Sequence, residues 1–582
     1  AGSNSGSIST SGGLDTQRLV KQINAWLEVP YKEETTTDEN GNKVTTKVVD
    51  TDKQNANLNQ MVRVLTGKAS GDAETKLQTD FKAMQGFDTL TYGDKNYDTV
   101  YTNRSVNQLL VSLRGGSGWG HFANGYLGGI TGFNDVTGQI TDSASGQWFV
   151  YADNINQSWG AVGGVIGQNE SDAESNSGLV NFAAVRRFVR GKGRWDGRYN
   201  ASNDDDANVG CEEYSTNANL VDNYVGGVIG TQENRTGDRW TLEKCVNIGT
   251  VFNSRSNNAG GVLAYWLSYG GTLTNCYNFG EITTNSNNGL SSGTVGGVAG
   301  YFNNPVAGTA ANLYRCSNYG SVKKMTYGAN DVGGIFGKVQ MENKDDAMTI
   351  NIAECVNGSN VKLDGSNMSA GIFAYIGPYN LIPHVEVNID RCRNYCYDLG
   401  GTITSGIFGN RGNPRSTQAG MKKTTITNCF SLVNKYRSYD RAIAYGGNTN
   451  SLDGYNNYYM DKYSFWDTSE GWGAQGMTQL GRSDPPSIID VTGRTSDRGD
   501  GENKLVHARR LWAGKDNDAN AANDVLKDED GNVVSSNSHV YFAARLRTNT
   551  DTDMGYNVNT SAINKNNIKI RLESEANGHW YD

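Results

Sequence analysis

A five-residue phrase, Gly-Gly-[Val/Ile]-x-Gly, returns along the middle of the chain at a nearly fixed interval. That period limits the fold more than any local propensity does. The phrase begins at Gly128, Gly163, Gly226, Gly296 and Gly333, with looser copies at Gly260, Ala370 and Ser405. In chain order the start-to-start intervals are 35, 63, 34, 36, 37, 37 and 35 residues. A second phrase keeps the same step: an apolar residue, then Cys three positions on, then Asn two further. Leu242 leads Cys245, Leu273 leads Cys276, Leu313 leads Cys316, Ile352 leads Cys355 and Ile389 leads Cys392, while Ile426 leads Cys429 without the Asn. Two landmarks marching together mark stacked units that each contact only their neighbours.

The unit is too rich in Gly, Asn, Thr and Val to be helical, since Gly costs about 1 kcal/mol per helical position against Ala. Pro is scarce, at 7 in 582 residues, so strands are not broken. Each unit offers three short β-prone runs with Gly and Asn between them, both of which tolerate positive φ at tight corners. The predicted fold is mainly β: a right-handed parallel β-helix with three strands per coil. It carries an α-rich N-terminal cap domain and a small β-rich C-terminal domain. The doubled Gly reads as a corner where no Cβ fits, or else as a smooth face that a ligand backbone approaches.

Cys245, Cys276, Cys316, Cys355, Cys392 and Cys429 share one phase of the repeat and form a structural column. In-register parallel neighbours point their Cβ atoms the same way, which suits disulfide geometry badly. A ladder of buried thiols is therefore favoured. The Asn residues after them are expected to satisfy their amides rung to rung. No Cys-x-x-Cys pair exists, and the five His are scattered, so zinc is not expected.

Five segments emerge. Residues 1–13 are Gly/Ser-rich and read as a flexible lead-in. Residues 14–114 carry helical faces at Leu19, Ile23, Trp26 and Leu27; from Met61, Val64 and Leu65; at Leu77, Phe81 and Met84; and at Val106, Leu109, Leu110 and Leu113. A hairpin turn signal at Asp38-Glu39-Asn40-Gly41 interrupts them. This segment is expected to cap the open end of the solenoid. The β-helix spans 115–445, with an insertion or a degenerate coil in the long interval after Gly163. A closing segment follows at 446–484. The C-terminal domain is placed at 485–582, where 540–547 and 568–572 alternate like strands. The chain starts without Met or a signal peptide and reads as a piece of something larger; it has no apolar stretch long enough to span a membrane.

Net charge is −9, which argues against nucleic-acid binding. The basic run Arg186 to Arg198 is offset by Asp204-Asp205-Asp206 and reads as a solvated loop face, with an anionic glycan as its functional alternative. Parallel β-helices also host lyases and glycoside hydrolases, but Glu243, Asp331, Glu354 and Asp390 do not recur in a common register. One calcium candidate exists at Asp516, Asp518, Asn520 and Asp524, without the Gly and Glu of an EF-hand loop. Catalytic residues are not assigned, and no cofactor beyond possible Ca is expected. The positive case is for binding. There are 30 Tyr and 11 Trp, and exposed rings of these types make binding hot spots. Trp159, Trp195, Tyr199, Tyr265, Trp266, Tyr269, Tyr375 and Tyr379 are the candidates, with structural stacking as the alternative.

The paired phrases, with Asn457-Tyr458-Tyr459-Met460 running to Gly476-Met477-Thr478-Gln479-Leu480 at the end of the array, resemble the GLUG-type repeat. The likeness covers roughly 115–480. It implies a large surface or secreted protein of gut Firmicutes, hence an extracellular location. It implies a host partner, with immunoglobulin, bound in superantigen fashion, the favoured ligand. A glycan-binding adhesin and a carbohydrate-active β-helix enzyme are the alternatives, and a spacer without ligand is a third. The segment is expected to be monomeric, with no nucleic acid and no membrane insertion.

Overall fold

A computed structural model of the chain is mainly β, with three α-helices among the described residues. It describes most of residues 3–461, together with 488–490 and 507–511. Residues 86–108, 115–124, 190–222, 285–292, 410–422 and 446–451, and a number of shorter turns, fall outside. So do 462–487, 491–506 and 512–582, which include the strands expected at 540–547 and 568–572.

Each coil of the solenoid lays down five short strands, one in each of five sheets. One coil shows the pattern. Asn258–Gly260 lies in sheet one, Leu263–Leu267 in sheet two and Gly271–Thr274 in sheet three. Tyr277–Asn278 lies in sheet four and Ile282–Thr284 in sheet five. Over the described residues the sheets hold nine, ten, ten, eleven and nine strands. The result is a parallel β-helix with five strands per coil rather than three. A two-residue strand such as Tyr277–Asn278 is too short to print an alternation in the sequence.

The long interval holds one coil and not two. Gly160 pairs with Asn223 and Val162 with Val225, so the strands that flank it are direct neighbours.

Three columns hold the coils together. The first is apolar: Val165, Val228, Val262, Val298, Ile335, Ile372 and Ile407 from the middle of seven of the phrases are fully buried, and Ile130 of the first is partly buried. They pack with the six repeat cysteines in one continuous core. The second is an amide ladder. Asn181 donates to Asn247 at 2.7 Å, Asn247 to Asn278 at 2.8 Å, and Asn278 to Asn318 at 2.8 Å. Asn318 donates to Asn357 at 3.0 Å and Asn357 to Asn394 at 2.9 Å. All six are fully buried. The third is the second glycine of each phrase, and it makes room for the ladder. A Cβ on Gly261 would stand 1.9 Å from the Gly297 carbonyl oxygen and 2.4 Å from Asn278 Cγ. Gly227 meets Asn247 in the same way. The steric reading of the doubled glycine is the one that these contacts support.

One conserved geometry hides behind variable residues. The residue before five of the repeat cysteines has left-handed backbone: Lys244 (φ 55°), Asn275 (52°), Arg315 (52°), Glu354 (55°) and Arg391 (50°). The strain is held by a hydrogen bond to the next coil, as from Lys244 N to Thr274 O at 3.0 Å and from Arg315 N to Ala353 O at 3.0 Å.

The N-terminal segment departs from expectation. Two strands, β1 (Ser3–Asn4) and β2 (Ser7–Ser9), add to sheets two and three by pairing with Phe133 and Asn134 and with Gln139 to Thr141. The Gly/Ser stretch therefore begins the solenoid and is not a lead-in. Then follow α1 (Leu14–Leu27), the antiparallel pair β3 (Tyr31–Thr37) and β4 (Lys43–Val49), α2 (Thr51–Leu65) and α3 (Gly71–Met84). Met61 and Val64 close α2 rather than open it. The fourth helical face is a strand, Leu109–Arg114, paired with Trp148–Asn154 in sheet five. Its leucines fit a helical spacing, but parallel pairing with the next coil decides.

The helices lie on the flank of the solenoid and not over its end. Their apolar faces, including Leu19, Ile23, Trp26, Met61 and Phe81, join one cluster with Ala144, Val180, Val246 and Tyr277 of sheet four and with Phe182 just beyond its strand. Phe81 stacks between Trp26 at 5.7 Å and Phe182 at 6.1 Å. Arg63 clasps α3 by donating to Glu74 from Nε at 3.2 Å and Nη2 at 2.6 Å. At the other end, Leu452–Tyr455 and Asn457–Asp461 continue sheets three and four. Ile488–Asp490 and His507–Leu511 then close sheet four with antiparallel strands.

The columns predict opposite responses to substitution. Asn278→Ala strands the Asn247 donor and the Asn318 acceptor, at about 3 kcal/mol for two buried polar groups. Gly261→Ala should cost at least as much, because backbone must move. Lys244→Asn should stabilise by about 1 kcal/mol, since Asn tolerates the left-handed region. Urea midpoints against the parent chain check all three, and a neutral Asn278→Ala would remove the ladder from the account.

Candidate functional site

Sheet two points one row of side chains away from the core of the coil. In register it runs Phe133, Gln168, Thr231, Tyr265, Tyr301, Lys338, Tyr375. Gln168, Thr231 and Tyr265 are buried, and Phe133, Tyr301, Lys338 and Tyr375 are half-buried. These alternate with an inward row, in which Trp266, Phe302, Val339 and Ile376 are at most 1 % exposed. Period-two alternation on a strand separates the two rows, and neighbouring rungs stand about 4.8 Å apart.

The middle of the outward row is aromatic and basic. Tyr265 lies under Tyr224 of sheet one, with ring centroids 3.8 Å apart, and tilts against Tyr301 at 5.6 Å. Tyr301 donates its hydroxyl to Asn303 Oδ1 at 3.1 Å, and Asn303 Nδ2 donates to the Tyr265 oxygen at 3.1 Å. The half-buried Lys338 ammonium sits 5.6 Å from the Tyr301 ring centre and 5.2 Å from that of Tyr375. Burial pushes its pKa below the usual lysine value, and the charge of Asp331 opposes that shift in part. The other end of the row is acidic. Gln168 Nε2 donates to Glu170 Oε1 at 2.7 Å and to Glu233 Oε2 at 3.2 Å. Rings for stacking and an ammonium for an anion thus share one straight row, while Gln168 and Glu170 at the other end are buried.

Of the aromatic candidates, Tyr375 belongs to this row. Tyr265 also does, but at 6 % exposure it is a rung of a structural stack. Trp266 faces inward and is core: it stacks on Phe302 at 4.4 Å and meets Trp240 edge-on at 4.6 Å. Tyr269 is half-buried, and its carbonyl accepts from Trp266 Nε1 at 2.6 Å. Trp159, Trp195, Tyr199 and Tyr379 lie outside the described residues, as do Asp516, Asp518, Asn520 and Asp524.

Cys245, Cys276, Cys316, Cys355, Cys392 and Cys429 are buried free thiols, as is Cys396. Their Sγ atoms donate to carbonyls, for example from Cys276 to Thr274 at 3.5 Å. Burial pushes the Cys316, Cys355 and Cys396 thiols up. Three of the carboxylates considered for catalysis are held in ion pairs: Glu243 meets Lys244 at 3.6 Å. Glu354 meets Arg315 at 2.7 Å and Arg391 at 3.1 Å, and Asp390 meets Arg391 at 2.8 Å.

Sequence reasoning passed over Tyr301, Lys338, Gln168 and Glu233. A signal existed: in each phrase the residue just after the fifth position is the outward one, and it is Phe133, Gln168, Thr231, Tyr265, Tyr301, Lys338 and Tyr375 in turn. Among the described residues no group of three or more His, Cys, Asp or Glu is placed to hold a metal ion. No helix among them is long and apolar enough to cross a membrane. No family model, curated protein or solved structure matches the chain.

The two rows predict a clean separation. Trp266→Ala should destabilise by about 3–5 kcal/mol, the range for deleting a buried large aromatic side chain. Tyr375→Ala should cost less than about 1 kcal/mol. Guanidinium unfolding of both variants tests this, and equal losses would contradict the division into core and surface.

Proposed function

We propose that the chain is a non-catalytic recognition segment of a large extracellular bacterial surface protein, and that the outward row of sheet two contacts a host ligand. The supporting observation is Lys338 set between Tyr301 and Tyr375 on a sheet whose inner side is locked by Trp266, Phe302 and Val339. A rigid scaffold loses little freedom when a ligand arrives. The solenoid, a right-handed coil in the sense that parallel crossovers adopt, serves as a stiff stalk.

The chemistry of the row fits an acidic glycan. Aromatic faces stack on sugar rings, and a partly desolvated ammonium favours a carboxylate or sulfate over neutral hydroxyls. Immunoglobulin is the ligand that the GLUG-type resemblance implies, and it rests on the repeat phrases. An enzyme acting on carbohydrate is the second structural reading. It is favoured by the two carboxylates, Glu170 and Glu233, that share the Gln168 amide.

A glycan array carrying sialylated, sulfated and neutral chains tests the reading, with immobilised immunoglobulin and a polysaccharide-cleavage assay alongside. Acidic chains are expected to bind. Lys338→Ala and Tyr375→Ala should each weaken binding about tenfold, which is 1.4 kcal/mol. Retention of immunoglobulin alone, or Lys338→Ala binding as the parent does, would overturn the glycan assignment. Cleavage products would move the chain to the second reading.

A further inference from the structure

The β3–β4 hairpin stands out from the rest of the molecule. All seven residues of β3 are exposed, and so are all of β4 except the half-exposed Val48. Of the six large apolar side chains exposed among the described residues, three sit here: Tyr31 at 54 %, Val44 at 41 % and Val49 at 39 %. Among the described residues the hairpin forms a sheet of two strands. An isolated pair of strands is marginal in water, and stability comes with a third strand or a covering face. A straight edge strand is a template for another strand.

We propose that β4 pairs antiparallel with β4 of a second copy of this chain, about a two-fold axis through Thr46, to give a four-stranded sheet. The sequence of β4 read against itself carries the pairing: Lys43-Val44-Thr45-Thr46-Lys47-Val48-Val49. In full register Val44 falls opposite Val48 of the second copy, Thr46 opposite Thr46, Thr45 opposite Lys47, and Lys43 opposite Val49. No like charges face each other, and the two valine pairs lie on one face, flanking the central Thr46 pair. Apolar and Thr–Thr cross-strand pairs are the kinds that stabilise a sheet. Each Lys47 already faces Glu33 across its own hairpin, and its ammonium lies 4.7 Å from the Tyr31 ring centre. The other edge is unsuited to the same arrangement, because β3 in full register sets Glu34 against Glu34. A two-fold contact of this kind is closed and self-complementary, so it ends at a dimer. The monomer expected from the sequence gives way to a pair of solenoids joined at their helical flanks.

Sedimentation equilibrium of the whole chain from about 1 to about 100 μM tests this, because a dimer must follow mass action. The mass should rise from 63.0 kDa toward twice that value. Thr46→Cys should give a reductant-sensitive dimer under mild oxidation where the parent chain gives none. Val44→Asp, which sets a carboxylate opposite Val48 in both valine pairs, should weaken dimerisation at least tenfold (about 1.4 kcal/mol) and leave the melting of the solenoid unchanged. A mass of 63.0 kDa throughout, with no Thr46→Cys crosslink, would overturn the proposal. So would a dimer that neither variant touches, since its contact would lie elsewhere.

Discussion

Everything in the solenoid depends on one buried hydrogen bond repeated from coil to coil, the side-chain amide of one Asn donating to the next. A buried amide without a partner costs about 1–3 kcal/mol. An amide with one partner above and one below costs nothing and fixes the register. A one-residue slip anywhere would break the ladder on both sides. The ladder in turn requires space, and that space is what the second glycine of each phrase supplies. The two landmarks that repeat in the sequence are thus the two sides of one contact, Gly261 on Asn278 and Gly227 on Asn247.

This explains which parts of the fold could be read from the chain. Where a column needs one residue type on every rung, the letters repeat, as with the Asn ladder, the cysteines and the paired glycines. Where a column needs only a backbone shape, the letters vary. The left-handed corner is filled by Lys244, Asn275, Arg315, Glu354 and Arg391, and no pattern betrays it. The outward row of sheet two is of the same kind. Its position is fixed by the phrase, but Gln168, Thr231, Tyr265 and Lys338 share no chemistry that a repeat search would find. Leu109, Leu110 and Leu113 were misleading because apolar residues at these spacings fit a helix face and a paired strand alike. The strand won through contacts with Trp148 to Asp153, far along the chain.

The first coils differ inside from the later ones. At one inward position of sheet two, Asn4 donates to Asn134 at 2.7 Å, Asn134 to Asn169 at 2.6 Å, and Asn169 to Gln232 at 2.6 Å. The same column then continues as Trp266, Phe302, Val339 and Ile376. The junction leaves its mark: Gln232 Nε2 is buried and finds no hydrogen-bond partner among the described residues. The polar column runs beside the apolar core, which reaches the same coils through Ile140, Val165 and Ile166, with Ile8 and Ile130 packed against it. The stacked rings further along stiffen the stretch that carries the aromatic and basic side chains outside.

The helices on the flank have a mechanical consequence. Hydrogen bonds between coils point along the solenoid axis, so tension along that axis loads them a few at a time, and coils would peel off in succession. The cluster beneath α1, α2 and α3 draws Ala144, Val180, Val246 and Tyr277 from four successive coils into a single apolar contact. A pull on any one of these coils is therefore shared with the others through the helices. The flank acts as a splint across the peeling direction, at the end of the array where peeling would otherwise begin.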